Sequence, residues 1–87
     1  MENQNPVGTL NEYCQQNKIQ FPVYTLTGQE GQQHMQIFKM QCVLEGRVFS
    51  GEGFSKKDAK KKSAESAVTA LINDKSNFNN KYDFFNN

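Results

Sequence analysis

Five lysines stand close together in the second half of the chain. Residues 56–62 hold these five lysines and one aspartate, whereas residues 1–55 hold three basic residues and five glutamates. The formal net charge of +1 therefore conceals a local concentration of positive charge. Such a cluster is typical of a surface that attracts the phosphates of a nucleic acid. The alternative interpretation is a solvated lysine face without a ligand.

The predicted start of a helix indicates more specifically what the lysine cluster binds. Ser55 is a favoured N-cap, and Asp58 stands three residues later in the position of a capping-box acid. The first turns of this helix carry Lys56, Lys57 and Lys60. Because a helix N-terminus already carries about half a positive charge, lysines there do not favour the fold by themselves. A phosphate would resolve the conflict, so we predict that these three lysines bind phosphates.

The sequence offers few other groups that could perform chemistry. His34 is the single histidine and lies in a polar segment without a neighbouring nucleophile, and the acidic residues are scattered singly. No glycine-rich phosphate loop is present. Cys14 and Cys42, even with His34, fall short of the four ligands of a structural zinc site, and we interpret both as reduced core cysteines. We predict no enzymatic activity within this chain, no metal and no cofactor.

Length and hydropathy narrow the class of protein. Eighty-seven residues suffice for one small domain, and the mean hydropathy is −0.80. No apolar stretch approaches the roughly 18 residues that a membrane span needs, and the N-terminus does not look like a signal peptide. We expect neither a membrane protein nor a secreted one. The predicted location is cytoplasmic, with the nucleus as the alternative.

A helix is the first element that the sequence predicts. Asn5 is a favoured N-cap and Pro6 suits the first helical position, so the helix is predicted over about residues 6–17. A strand is predicted over residues 21–27. The polar residues 28–34 contain two glycines and are predicted to form a loop.

Two further strands and a second helix follow. Alternation from Met35 to Leu44 predicts a strand, whose buried face is formed by Phe38, Met40, Cys42 and Leu44. Residues 47–53 are predicted to close an antiparallel hairpin with it. The helix that begins at Ser55 carries a stripe of mostly small apolar residues, namely Ala59, Ala64, Ala67, Val68, Leu71 and Ile72. The element order predicts an α+β fold, α-β-β-β-α, with two helices on one face of a three-stranded antiparallel sheet.

The composition changes after the second helix. We assign residues 1–4 to an N-terminal tail, residues 5–73 to the domain and residues 74–87 to a tail or linker rich in Asn and Phe. The first interpretation of this last segment is a frayed linker. The alternative is an aromatic segment that packs on the domain or on a partner.

Several stretches resemble the double-stranded RNA-binding domain family. Residues 53–60, which read Gly-Phe-Ser-Lys-Lys-Asp-Ala-Lys, and the alanine-containing residues 63–67 resemble its signature GxSKKxAK and the alanines that follow. Residues 5–13 resemble the family's first helix, and residues 22–24 and 49–53 resemble its first and third strands. The resemblance covers about residues 5–72. It implies the same fold and the binding of double-stranded RNA.

The resemblance also implies a set of RNA contacts. Domains of this family touch two successive minor grooves and the phosphates between them, over about 16 base pairs. The matching positions are Thr9, Asn11 and Glu12 for one minor groove, Gln32 and His34 for the second, and Lys56, Lys57 and Lys60 for the phosphates. Although Glu12 is acidic, its carboxylate can accept a hydrogen bond from a 2′-hydroxyl or a guanine amino group.

One loop departs from the family's pattern. The family's usual loop reads Gly-Pro-x-His, whereas residues 31–34 read Gly-Gln-Gln-His. Without the proline we expect a less preorganised loop, whose ordering would cost affinity. The alternative for His34 is an exposed loop histidine that touches no RNA.

Three biological roles are consistent with these observations. The prediction is a module of an antiviral-response or RNA-processing protein that recognises the A-form shape of a duplex largely without reading its sequence. The alternatives are a viral protein that sequesters double-stranded RNA and antagonises interferon, and a domain of this family used mainly for dimerisation. Short stretches also resemble the poxvirus interferon-resistance protein, Dicer-partner proteins and RNA-editing adenosine deaminases. The predicted partner is double-stranded RNA, with another protein of the family or a duplex-activated kinase as further candidates, and no membrane.

Overall fold

The computed structural model describes residues 5–86, with side chains for residues 5–74. Its elements are helix α1 (Pro6–Asn17), strands β1 (Val23–Gln32), β2 (Met35–Leu44) and β3 (Arg47–Gly53), and helix α2 (Lys56–Asn86). The three strands form one antiparallel sheet in the order β1-β2-β3. The predicted α+β fold is confirmed. The aromatic residues of the segment 74–87 lie outside the described side chains, so neither interpretation of that tail is tested.

Helix α1 begins at the predicted cap and ends at the predicted residue. The Asn5 side-chain oxygen accepts a hydrogen bond from the Gly8 N–H at 3.3 Å, and Pro6 occupies the first turn. At the other end, Lys18 adopts a left-handed conformation with a φ of 57°. The N–H of Ile19 then donates to the Cys14 carbonyl at 3.0 Å, which closes the helix.

Strand β1 is longer than the sequence predicts, and the expected loop over residues 28–34 is wrong. Strand pairing continues to Gln32, which pairs with Met35, so that only Gln33 and His34 form the turn. The register shifts between Leu26 and Gly28, which accommodates one extra residue before pairing resumes with Lys39.

Polar cross-strand contacts hold the extended part of this hairpin together. The Lys39 ammonium lies 2.9 Å from the Glu30 carboxylate, and the Gln29 side-chain amide donates to Gln36 at 2.9 Å. Such pairs stabilise a sheet without apolar burial. A polar, glycine-containing segment has the composition of a loop, yet here a neighbouring strand supplies its hydrogen-bond partners.

The core lies between the helices and one face of the sheet. Its fully buried residues come from α1, β2 and α2, and they are Leu10, Cys14, Cys42, Leu44, Ala64 and Ala67. Of the four alternating residues in β2, Cys42 and Leu44 are buried, whereas Phe38 and Met40 are half-buried. The predicted face is therefore covered along only part of its length.

Helix α2 approaches β3 so closely that the strand has room only for glycine at two positions. A Cβ atom at Gly51 would collide with the backbone of Ser63, and one at Gly53 would come within 2.8 Å of the Ala59 nitrogen. Ser63 is fully buried at this contact and donates a hydrogen bond to the Lys60 carbonyl at 2.8 Å. The small residues along α2 permit this close packing.

Ile72 does not belong to the core, although the apolar pattern of α2 assigns it there. Its side chain is 62% exposed, whereas Leu71 packs against the core cluster. One residue along a helix is a rotation of about 100°, which carries Ile72 out of the stripe that continues from Ala64 and Ala67. It lies instead on the rim of a groove between α1 and α2.

Candidate nucleic-acid interface

The predicted phosphate-binding cluster lies on the first two turns of α2. The Ser55 hydroxyl accepts a hydrogen bond from the Asp58 N–H at 3.0 Å, which confirms the predicted N-cap. Lys56 and Lys57 are exposed beside this cap, and Lys60 follows one turn later. The ammonium groups and the helix N-terminus therefore form one positively charged surface.

Within residues 5–74, the ion pairs are Lys39 with Glu30 and Arg47 with Asp74. In that part of the chain no carboxylate neutralises the three lysines of the cluster. Their positive charge is available to an anion from outside.

Lys60 differs from the other two lysines in its surroundings. It is half-buried, and its ammonium nitrogen lies 4.8 Å from the centroid of the Tyr24 ring in β1. This distance is typical of a cation–π contact. Tyr24 was not among the predicted site residues, because the contact joins a strand and a helix that are 36 residues apart in the chain.

Tyr24 is itself held firmly beneath Lys60. Its ring packs against the core cluster, and its hydroxyl is buried without a hydrogen-bond partner among the described residues. Burial, with the nearby Cys42 as a second cause, raises the pKa of this hydroxyl above its usual value. The side chain thus stays neutral and offers the face of a fixed ring to the ammonium group.

Gln32 and His34 lie at the tip of the hairpin formed by β1 and β2. Gln32 is the last residue of β1, His34 belongs to the two-residue turn, and both are exposed. The backbone at Gly31 has a φ of +102°, and the Met35 carbonyl occupies the space that a side chain there would need. A two-residue turn closes the hairpin here, and the affinity cost of the missing proline stays a prediction.

A depression connects this hairpin tip to the start of α2. Its volume is about 460 Å³. We call it the Phe54 depression, and it is lined by Gln33, His34, Met35, Gln36, Phe38 and Phe54. Phe54 directly precedes the N-cap and is 69% exposed. The sequence did not predict this site, although an apolar aromatic residue next to a charged helix start was a signal that could have indicated it.

The three predicted contact residues of α1 do not share one face. Thr9 lies with Tyr13 on the wall of the groove towards α2, whereas Asn11 is half-buried two residues further on. At about 100° per residue, Thr9 and Asn11 point to opposite flanks of the helix. Glu12 is exposed and lies between those flanks.

The two cysteines lie in the core rather than at a surface site. Both thiols are free and buried, and burial raises the pKa of each. The described residues contain no group of three or more His, Cys, Asp or Glu side chains that could hold a metal ion. Among the described residues, no helix combines the length and the apolar character that crossing a membrane would require.

Comparison with known proteins finds a family model that matches most of the chain. The family model described as "Double-stranded RNA binding motif" matches residues 6–71. DRBM domain-containing protein 340R of Invertebrate iridescent virus 6 is 37% identical over 75 aligned residues, and the match covers 82% of this chain and 43% of that protein. The interferon-inducible double-stranded RNA-dependent protein kinase activator A homolog of Danio rerio is 39% identical over 70 residues, 80% of this chain and 25% of that protein.

A solved structure shows the same architecture. The structure of Arabidopsis HYL1, described with its molecular implications for miRNA processing, has a TM-score of 0.71 at 31% identity. The match covers 79% of this chain and 99% of the HYL1 chain. By contrast, the chain spans less than half the length of the two curated relatives.

Proposed function

The chain belongs to the double-stranded RNA binding motif family, and from this premise we propose that it binds double-stranded RNA by recognising the A-form shape of the duplex. In an A-form duplex the major groove is too narrow for side chains to read, whereas the minor groove is shallow and lined with 2′-hydroxyls. The proposed contacts are therefore 2′-hydroxyls in two minor grooves and the phosphates between them. None of these groups depends strongly on the base sequence.

The lysine cluster at the capped start of α2 carries this proposal. Lys56 and Lys57 are exposed, and Lys60 is held over the Tyr24 ring. With the free N–H groups of the helix start, these ammonium groups favour a phosphate backbone over any uncharged partner. We assign all three lysines to the phosphates that flank the major groove.

The hairpin tip is assigned to one minor groove. Gln32 and His34 are exposed at the end of a paired hairpin, so both side chains are free to reach a groove. The Phe54 depression joins this tip to the start of α2. The hairpin tip and the lysines, on either side of this depression, can therefore meet a minor groove and the phosphates beside it.

Helix α1 is assigned to the other minor groove. Glu12 is exposed between the flanks of the helix, and Thr9 is more exposed than Asn11. We therefore assign the main contacts to Glu12 and Thr9, and a peripheral contact to Asn11. The Glu12 carboxylate would accept hydrogen bonds from 2′-hydroxyls, which DNA lacks.

The biological role that we favour is that of a module in an RNA-processing or antiviral-response protein. The supporting observation is that relatives such as the kinase activator homolog of Danio rerio are much longer than the matched segment. In this role the module brings duplex RNA to another part of its protein or to a second protein. Another protein of the same family and a duplex-activated kinase are the partners that we propose.

Sequestration of duplex RNA by a virus is the second candidate role. It is supported by the 37% identity to protein 340R of an iridescent virus. A domain that acts by occupancy alone needs only the RNA surface described above. The two roles differ in whether a separate protein must contact the RNA-bound domain.

Comparison of RNA and DNA duplexes tests the proposed mode of binding. Fluorescence anisotropy with 20-base-pair duplexes of two unrelated sequences should give RNA affinities within a few-fold of each other. A DNA duplex of the same length should bind at least about tenfold more weakly, since it lacks 2′-hydroxyls and A-form grooves. Equal affinity for RNA and DNA would contradict recognition by shape.

A further inference from the structure

The Phe54 depression has a chemistry that a regular duplex does not use. Its mouth carries two apolar side chains, Phe54 and Met35, which are 69% and 65% exposed. Covering both side chains with a ligand would remove apolar surface from water, which is favourable. Phosphates and 2′-hydroxyls gain nothing from apolar side chains, so the contacts proposed above leave Phe54 and Met35 unexplained.

The remaining lining residues supply polar groups without negative charge. Gln33, His34 and Gln36 surround the depression, and no acidic residue lines it. Amide and imidazole groups both donate and accept hydrogen bonds, which suits the edge of a nucleobase. Apolar side chains combined with a few polar groups are the usual lining of a small-ligand site, and a volume of about 460 Å³ lies in the usual range.

The position of the depression identifies its occupant as part of the RNA. It lies between the hairpin tip and the lysine-bearing start of α2, within the surface assigned to the duplex. Bases in a regular duplex are stacked and cannot enter it. An unpaired base, displaced from the stack at a bulge, can place its ring against an aromatic side chain.

We propose that the Phe54 depression binds a single unpaired nucleobase of the RNA, which stacks on the Phe54 ring while the Gln33 amide contacts its polar edge. This inference rests on the proposed function, because the lysines must first hold the duplex across the site. It adds a preference for imperfect duplexes to a domain that otherwise reads shape alone.

Affinity for matched duplexes tests the proposal. Three RNAs are compared: a perfect duplex, the same duplex with one bulged adenine, and the same duplex with an abasic site at the bulge. The wild-type protein should bind the duplex with the bulged adenine about fivefold more tightly than the perfect duplex or the abasic one. Stacking of one base on an aromatic side chain raises affinity by this factor or more. The abasic duplex controls for the added flexibility of a bulge.

Two variants localise the effect. Phe54→Ala should lose the preference for the bulged adenine and keep its affinity for the perfect duplex within about twofold. Phe21→Ala is the matched control, because Phe21 is 57% exposed but does not line the depression. With 2-aminopurine as the bulged base, its fluorescence should change on binding to the wild type and to Phe21→Ala, and should stay the same on binding to Phe54→Ala.

The outcomes separate this inference from the proposed function. If the perfect duplex fails to bind the wild-type protein, the proposed function itself is wrong. If the perfect duplex binds but the bulged adenine has no advantage, only the nucleobase site is overturned. A self-association in sedimentation that Phe54→Ala abolishes would also overturn it, because a second copy of the chain would then occupy the depression.

Discussion

Cationic side chains at two ends of the molecule differ in whether a carboxylate pairs with them. Near the turn between β2 and β3, the Arg47 guanidinium pairs with Asp74 and lies 5.2 Å from the centroid of the Phe49 ring. At the start of α2, Lys56 and Lys57 have no carboxylate partner within residues 5–74. The contrast indicates that Arg47 is used by the fold itself, whereas the lysines are kept available for a ligand.

The largest expected effect comes from removing the available cations. Replacement of Lys56, Lys57 and Lys60 together by Ala should weaken binding to duplex RNA at least about 100-fold, because three charge-assisted hydrogen bonds to phosphates can no longer form. The slope of log K against log salt concentration should also flatten by about 0.9 for each phosphate that the variant no longer neutralises. Anisotropy titrations at several salt concentrations measure both quantities.

The fold should survive this triple substitution. The three lysines are surface groups at a helix N-terminus, where positive charge is mildly unfavourable, so thermal stability should stay the same or rise slightly. Circular dichroism provides the control. A folded triple variant with normal RNA affinity would show that the lysines are merely solvated.

A smaller effect is expected from Tyr24, which links the core to the lysine cluster. Tyr24→Leu removes the ring beneath Lys60 and should lower RNA affinity about two- to fivefold, the size of one cation–π contact. Tyr24→Phe keeps the ring and removes only the buried hydroxyl, so its affinity should match that of the wild type.

A spectroscopic measurement separates positioning of Lys60 from a general loss of structure. The Lys60 side-chain methylene resonances should carry a ring-current shift in the wild type and in Tyr24→Phe, and lose it in Tyr24→Leu. Tyr24→Leu could lose that shift and still bind RNA with the wild-type affinity. This result would show that Lys60 binds RNA without being positioned by the ring.

The smallest effect is expected at the other end of the molecule. Arg47→Ala removes a half-exposed ion pair and should lower the free energy of unfolding by at most about 1 kcal/mol, measured by urea denaturation. Its affinity for duplex RNA should remain within about twofold of the wild type, because the Arg47 charge is already compensated by Asp74. A drop in RNA affinity comparable to that of the triple lysine variant would show that Arg47 also contributes to RNA binding.

Elements with local signals were predictable from the sequence. The start of α1 follows from Asn5 and Pro6, and the start of α2 follows from Ser55. These signals act over three or four residues, so they need no knowledge of the rest of the fold. The lysine cluster was predictable for the same reason.

Features that depend on distant partners were not predictable. The second half of β1 is polar and is a strand only because β2 supplies partners such as Lys39 for Glu30. The cation–π contact of Lys60 and the Phe54 depression likewise join segments that are far apart in the chain. The exposure of Ile72 depends on how α2 rotates against β3, which no periodic pattern specifies.

The unequal lengths of the strands have a consequence for motion in the hairpin. Strand β3 pairs with β2 only from Phe38 to Leu44. In the hairpin of residues 29–37, each strand is therefore hydrogen-bonded only to the other. We expect amide hydrogen exchange to be slow at Cys42, under both helices, and progressively faster towards Gln36. The lysine-bearing start of α2 would then behave as a rigid base, while the hairpin tip bends to follow grooves of different width.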